Sequence, residues 1–167
     1  MVEKLELIKG HIGTIERTLV RLVDETEEGK YLLSIRGLNY IGVAGLLAEL
    51  GSFKSYQTAK QVIKMAGSNP SESESAGKKR ASTPMSRKGR PALRYCAWTS
   101  VIPMLRLNSD FRAWAKQMRE RPAHANPLSG REVVGAALNR LLRLAFVLVK
   151  KQTFYQLPQR SVAEAVT

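Results

Sequence analysis

The sequence predicts a mainly α fold, with an N-terminal coiled-coil-type helix followed by a compact helical domain that contains a helix-hairpin-helix-like element and a long loop. Three observations predict it. Apolar residues recur three and four apart along most of the chain, as in Leu5, Ile8, Ile12, Ile15, Leu19 and Leu22, which is the period of one helix face. No stretch is rich in strand-forming residues. Gly37, Gly51, Gly67, Pro91 and Ser129 stand where helical patterns stop or start, as caps and breakers do.

The Leu5 to Leu22 set is an a/d heptad seam that wants a partner helix. Gly10 and Gly13 weaken the isolated helix by about 1 kcal/mol each. Thr26 followed by Glu27 and Glu28 starts a second helix, because carboxylates in a first turn complement the helix dipole. That helix carries Tyr31, Leu32, Leu33 and Ile35 and stops at Gly37. After the turn from Gly37 to Gly42, a third helix runs through Val43, Leu46, Leu47 and Leu50 to Gly51. Two short helices around a Gly-rich turn resemble a helix-hairpin-helix element, whose turn amides can cradle a phosphate. Taken alone, the same residues read first as a structural αα-hairpin. Asn39 stands where that motif carries a second glycine, and asparagine tolerates the left-handed conformation.

Ser55 is expected to cap a fourth helix, Tyr56 to Ala66, closed by Gly67. Residues 68–90 lack an apolar period and form a long loop with at most short extended pieces. Loops of that length within a domain are functional or disordered. Pro91 opens the next helix, with Leu93, Cys96, Ala97, Trp98 and Val101 inward and Pro103 kinking or interrupting it. A helix with Phe111, Trp114 and Met118 on one side follows Asn108 and Ser109. The last long helix starts after Ser129 and ends at Lys150 and Lys151, cations suited to a helix C-terminus. The organisation is a coiled-coil segment at 1–28, a domain at 29–156 that includes the loop 68–90, and a flexible tail at 157–167.

A length of 167 residues fits one domain with a real core. The net charge is +13 and polarised: acids crowd the first 28 residues, and beyond Lys78 only Asp110, Glu120, Glu132 and Glu164 are acidic. Such a balance calls for a polyanionic partner, nucleic acid first and an anionic membrane surface second. Against the membrane, the most apolar run, Leu141 to Val149, contains Arg143 and is far shorter than the ~20 residues of a span. The start of the chain has no apolar h-region of a signal peptide. Cys96 is the only cysteine, which rules out a disulfide and a cysteine-rich zinc site. A cytoplasmic protein is expected.

The chemistry concentrates in one segment. Ser71-Glu72-Ser73-Glu74-Ser75-Ala76-Gly77 runs into Lys78, Lys79 and Arg80, followed by Arg87, Lys88, Arg90 and Arg94. This is either a solvated surface loop or a functional loop in which a hydroxyl attacks a phosphodiester while cations hold the non-bridging oxygens. No general base for that hydroxyl is evident. A metal-dependent nuclease needs converging carboxylates, whereas Asp110, Glu120 and Glu132 are isolated in the sequence, so neither metal site nor cofactor is expected within this chain. His11 and His124 read as structural or solvent-facing. Phe111, Trp114, Phe146 and Phe154 fall at core-like positions rather than as stacking platforms.

Taken together, Leu33-Ser34-Ile35-Arg36-Gly37, Leu46 to Phe53, Ala66-Gly67-Ser68-Asn69-Pro70 with Ser75 five residues on, Ser86-Arg87-Lys88-Gly89 and Leu93-Arg94 form an ordered set. The set resembles the C-terminal transposase domain of the insertion-sequence "one-ten" family, relatives of the Piv-type DNA invertases, over roughly Leu32 to Tyr155. The resemblance implies a recombinase that excises and inserts mobile DNA. In that family a ribonuclease-H-like N-terminal domain holds Mg²⁺ on an Asp-Glu-Asp-Asp set, a coiled coil assembles protomers, the C-terminal domain brings a nucleophilic serine, and a structured guide RNA pairs with donor and target DNA. The family serine maps onto Ser75, with Ser73 in reserve because Ala76 separates Ser75 from Gly77. Gly37 and Asn39 of the hairpin, with Lys78, Lys79, Arg80, Arg87, Lys88, Arg90 and Arg94, are the residues expected on nucleic acid. Residues 1–28 leave no space for the metal-binding domain, so a form without it is expected, pairing with itself or with a full-length transposase through the heptads. A non-catalytic nucleic-acid-binding or assembly module that modulates a full-length transposase is the alternative.

Overall fold

The computed structural model describes residues 2–70 and 84–157, with the side chain of His124 left aside. Among them are seven α-helices: α1 (Val2–Asp24), α2 (Glu27–Leu33), α3 (Tyr40–Leu50), α4 (Ala59–Ala66), α5 (Pro91–Leu107), α6 (Ser109–Arg119) and α7 (Gly130–Lys151). Single 3₁₀ turns lie at Phe53–Ser55 and Ala123–Ala125. No strand occurs among the described residues; one isolated antiparallel bridge joins Pro70 to Met85. The fold is mainly α, as the periodicity predicts.

The central helix is α7, which packs against α2, α4, α5 and α6. Its buried positions, Val133, Ala137, Leu138, Leu141, Leu142, Ala145, Leu148 and Val149, form a stripe wide enough to meet neighbours on several sides. Ser129 and Glu132 start it with a capping box, in which the Ser129 N–H donates to Glu132 Oε2 at 2.8 Å. The Ser129 hydrogen bonds hold the Glu132 carboxyl below its ordinary range. The cap is therefore made in full above the ordinary glutamate pKa and weakens as pH falls through the lowered one.

Helix α1 behaves differently. Only Val23 is buried, while Leu5, Ile8, Ile12, Ile15 and Leu22 of the heptad seam stay exposed. The helix joins the domain at its C-terminal end, where it meets α2 and α3 and where Asp24 accepts from the Tyr40 hydroxyl at 3.1 Å. At the next junction Thr26 Oγ1 caps α2 by accepting from the Gly29 N–H at 3.1 Å. Glu28 then ties α2 to the turn after α3, accepting from Ser52 Oγ at 2.6 Å and from the Phe53 N–H at 3.2 Å.

Three local expectations are corrected. The fourth helix begins at Ala59 rather than Tyr56, because Ser52 opens a 3₁₀ turn at Phe53–Ser55 and Thr58 takes the N-cap position. There Gln61 Oε1 accepts from the Gln57 N–H at 2.7 Å and the Thr58 N–H at 3.3 Å. Pro103 does not interrupt α5, which runs unbroken to Leu107. Asn39 is not left-handed: it is extended, with φ −108°, and its Oδ1 caps α3 by accepting from the Gly42 N–H at 2.8 Å. The tail beyond Leu157 lies outside the described residues.

Candidate nucleic-acid interface

The base of the long loop is a backbone clasp. Helix α4 ends at Ala66, and Gly67 reverses the chain in the left-handed region (φ 63°), its N–H donating to the Ile63 and Lys64 carbonyls. The returning segment, residues 84–90, closes on this end. The Ser86 N–H donates to Asn69 O at 2.8 Å, the Arg87 N–H to Gly67 O at 2.9 Å and the Arg90 N–H to Met65 O at 2.7 Å. Ser86 Oγ adds a bond to Asn69 Oδ1 at 2.7 Å. Two glycines make the approach possible: a Cβ on Gly89 would lie 2.3 Å from Gly67 N and 2.5 Å from Met65 O. Below the clasp, α7 supplies Asn139, whose Oδ1 accepts from the buried Ser68 hydroxyl at 2.6 Å and whose Nδ2 donates to Ser68 O at 3.1 Å. The residues that flank 71–83 are thereby held together on the end of α4 and on α7.

Because those close contacts are to backbone atoms, they cannot be relieved by a side-chain rotation. Gly89→Ala is expected to lower unfolding stability by about 2 kcal/mol, from overpacking and a lost clasp hydrogen bond. Gly130→Ala, at the first position of α7 with open space around it, should cost nothing, since alanine favours a helix over glycine by up to about 1 kcal/mol. Denaturant midpoints of the two variants check the order.

The sequence-predicted residues separate into three groups. Ser73, Ser75, Lys78, Lys79 and Arg80 lie outside the described residues. Arg87 and Lys88 are exposed on the returning segment and hold no side-chain hydrogen bond or ion pair to the described residues. Arg90 and Arg94 are tied to the fold: the Arg90 guanidinium donates to Glu49 O at the end of α3, and Arg94 Nη1 donates to Ala66 O at 2.9 Å. They stabilise helix C-termini whose last carbonyls lack intrahelical partners.

The hairpin also uses its special residues structurally. Gly37, at φ 95°, lies against α5 so closely that a Cβ would sit 2.8 Å from Met104 Cα. The Arg36 carbonyl accepts from Asn108 Nδ2 at 3.2 Å, while the Arg36 side chain stays exposed at the turn. Burial, with Glu49 adding to it, pushes the Cys96 thiol up, so at neutral pH it stays protonated and is a poor nucleophile.

A second feature was not legible as a site. Helices α6 and α7 enclose a cleft of about 440 Å³ whose lining includes Trp114, Arg121, Asn139, Arg140 and Arg143. Arg140 forms an ion pair with Asp110 at 2.8 Å and lies over the rings of Phe111 and Trp114, at 5.3 and 5.2 Å from their centroids. The i, i+3 spacing of Arg140 and Arg143 on α7 is visible in the sequence. Their convergence with Arg121 depends on how α6 packs.

The family model for the transposase IS116/IS110/IS902 family matches residues 29–116, from α2 into α6 and more than half of the chain. The chain belongs to this family. It is a transposase-family chain of an insertion sequence, and DNA is the partner that membership implies. No curated protein matches the chain. The matched segment contains the hairpin, the clasp, the whole of 71–83 and the α5 entry. Among the described residues no helix of this transposase-family chain is long and apolar enough to cross a membrane. Nor do three His, Cys, Asp or Glu side chains come together among them as a metal site would need.

Proposed function

We propose that this chain binds DNA for transposition and carries out serine-mediated strand exchange, with Ser75 as nucleophile and Ser73 in reserve. The observation that carries the reading is the clasp. It ties together the residues that flank the serine-bearing segment, among them the exposed cations Arg87 and Lys88, and a mere linker has no need of such a base. In the proposed step Ser75 Oγ attacks phosphorus and gives its proton to solvent or a neighbouring base. The Oγ–P bond forms, the bond from phosphorus to one deoxyribose oxygen breaks, and that oxygen leaves and takes up a proton. Reversal with a different sugar hydroxyl rejoins strands without ATP, since the phosphodiester energy is kept in the phosphoserine. Lys78, Lys79, Arg80, Arg87 and Lys88 act as cations on the non-bridging oxygens. Arg90 and Arg94 hold the loop base and add positive field there. The hairpin with Gly37 and Asn39 brings α3 amides and Arg36 to a second phosphate. A structured guide RNA and an Mg²⁺-binding acidic domain supplied from outside residues 1–167 complete the machine.

A second reading has its own observation. The exposed seam of α1 supports a non-catalytic assembly module that pairs with another copy or with a full-length transposase. Both readings place the chain on nucleic acid. Anisotropy of labelled duplex DNA is expected to show affinity falling by about 10³-fold or more between 50 and 200 mM salt for ~6 phosphate contacts. An affinity that hardly changes would remove the electrostatic contact from both.

A further inference from the structure

The α6–α7 cleft lies outside the loop and the hairpin, yet it touches the same end of the molecule. Asn139 links them: its side chain holds Ser68 at the clasp and also lines the cleft. One turn earlier on α7, Met85 of the returning segment packs over Gly135. Anything seated in the cleft therefore lies on the same helix face that receives Ser68 and Met85.

The chemistry of the lining is specific. Arg121 and Arg143 are exposed and hold no hydrogen bond or ion pair to described residues. Of the nearby carboxylates Asp110 offsets the cleft's Arg140, while Glu120 pairs with Lys116 and Glu132 with Ser129, so none pairs with Arg121 or Arg143. No lining residue is acidic, so the cleft concentrates positive potential. Trp114 and Met118 supply apolar lining, and the Arg140 guanidinium lies over the Trp114 ring. A volume of about 440 Å³ is within the ~300–1,000 Å³ of small-ligand pockets and holds one nucleotide rather than a duplex. Aromatic and guanidinium planes beside free arginines are the elements of single-strand binding, where bases stack and phosphates pair with cations.

We propose that the α6–α7 cleft takes one unpaired nucleotide of a nucleic-acid strand, its base against Trp114 and Arg140 and its phosphate on Arg121 and Arg143. The site would seat a strand that has left its duplex beside the loop. This inference rests on the DNA-binding reading above but specifies a different surface and a single-stranded ligand.

Trp98 and Trp114 are the only tryptophans, so a Trp98→Phe chain reports on Trp114 alone. Titration with a twelve-residue oligothymidine is expected to quench that fluorescence. Arg121→Ala with Arg143→Ala should weaken oligothymidine binding by about tenfold or more and lower the salt slope by about 0.7 per lost phosphate contact. Arg112→Ala with Arg131→Ala removes the same charge from exposed positions that do not line the cleft and should leave the quench intact. Oligothymidine that binds by anisotropy without quenching Trp114, or equal losses in the two double variants, overturns the cleft site and leaves the DNA-binding reading standing. Equal quenching by duplex overturns its single-strand character. Failure of the chain to bind any DNA overturns both.

Discussion

Ser75→Ala is expected to abolish strand exchange, by at least about 10³-fold, in an assay that supplies the metal-binding half in cis or in trans. DNA affinity should stay within about twofold. The size of the effect follows from the role. A residue that merely grips phosphate loses one of several cations when it is replaced, whereas a nucleophile takes the covalent route with it. The assay should therefore include a denaturing gel, on which the unmodified chain leaves a covalent protein–DNA adduct and the Ser75→Ala chain leaves none. Ser73→Ala is expected to retain adduct and exchange within about threefold. If Ser73→Ala abolishes the adduct and Ser75→Ala does not, the nucleophile is the reserve serine. Exchange that survives the double replacement would remove serine chemistry from this chain. Arg87→Ala with Lys88→Ala should lie between these outcomes, with weaker binding, a shallower salt slope and the adduct still formed.

The legible parts of the fold are those set by neighbours in sequence. Thr26 before Glu27 and Glu28, Pro91 at a helix start, and Ser129 before the last helix each act within one helical turn, and each is found where its residue type places it. The errors arise where two local signals compete. Ser52, Ser55 and Thr58 are all competent caps, and only the packing of Phe53 into the core, with Glu28 holding Ser52 and the Phe53 amide, decides between them. Asn39 could serve as a left-handed turn residue or as a cap, and the hairpin uses it as a cap because Gly37 already supplies the left-handed step.

The candidate site was less legible for a different reason. A sequence shows that Arg90 and Arg94 are charged, but not that carbonyls at the ends of α3 and α4 receive them. It shows Gly67 and Gly89 as breakers 22 positions apart, but not that their backbones pass each other. The Ser68–Asn139 pair spans 71 residues and joins a loop to the central helix. Charge and turn type are local properties, whereas the availability of a charge is a tertiary one. Trp114 is the sharpest case: its period on α6 reads as core, and it is indeed packed against the core, yet it also lines a cationic cleft.

Asn108→Ala is expected to cost about 3 kcal/mol of unfolding stability, the largest loss anticipated for a single polar side chain here. Asn108 is completely buried and joins three parts of the chain. Its Oδ1 caps α6 by accepting from the Asp110 N–H at 3.1 Å and the Phe111 N–H at 3.3 Å. The same oxygen accepts from the Tyr155 hydroxyl at 3.3 Å, and Nδ2 donates to Arg36 O in the hairpin. Loss of an N-cap costs about 1 kcal/mol, and each buried partner left unmade costs a further 1–3 kcal/mol where water cannot replace it. For a chain of this size, about 3 kcal/mol corresponds to a fall in Tm of roughly 6–12 °C. Tyr155→Phe removes only the hydroxyl and should cost about 1 kcal/mol. Its backbone N–H still donates to Ser34 Oγ at 2.7 Å, and Phe154 still meets the Tyr31 ring. The double variant should lose less than the sum of the two, because the bond between Asn108 and Tyr155 can be lost only once. Strict additivity in a thermal or denaturant cycle would mean that the two side chains act independently. The Tyr155 hydroxyl would then act through Asp110 Oδ2, which accepts from it at 3.4 Å, and Asn108 would act only within the α5–α6 corner and on the hairpin.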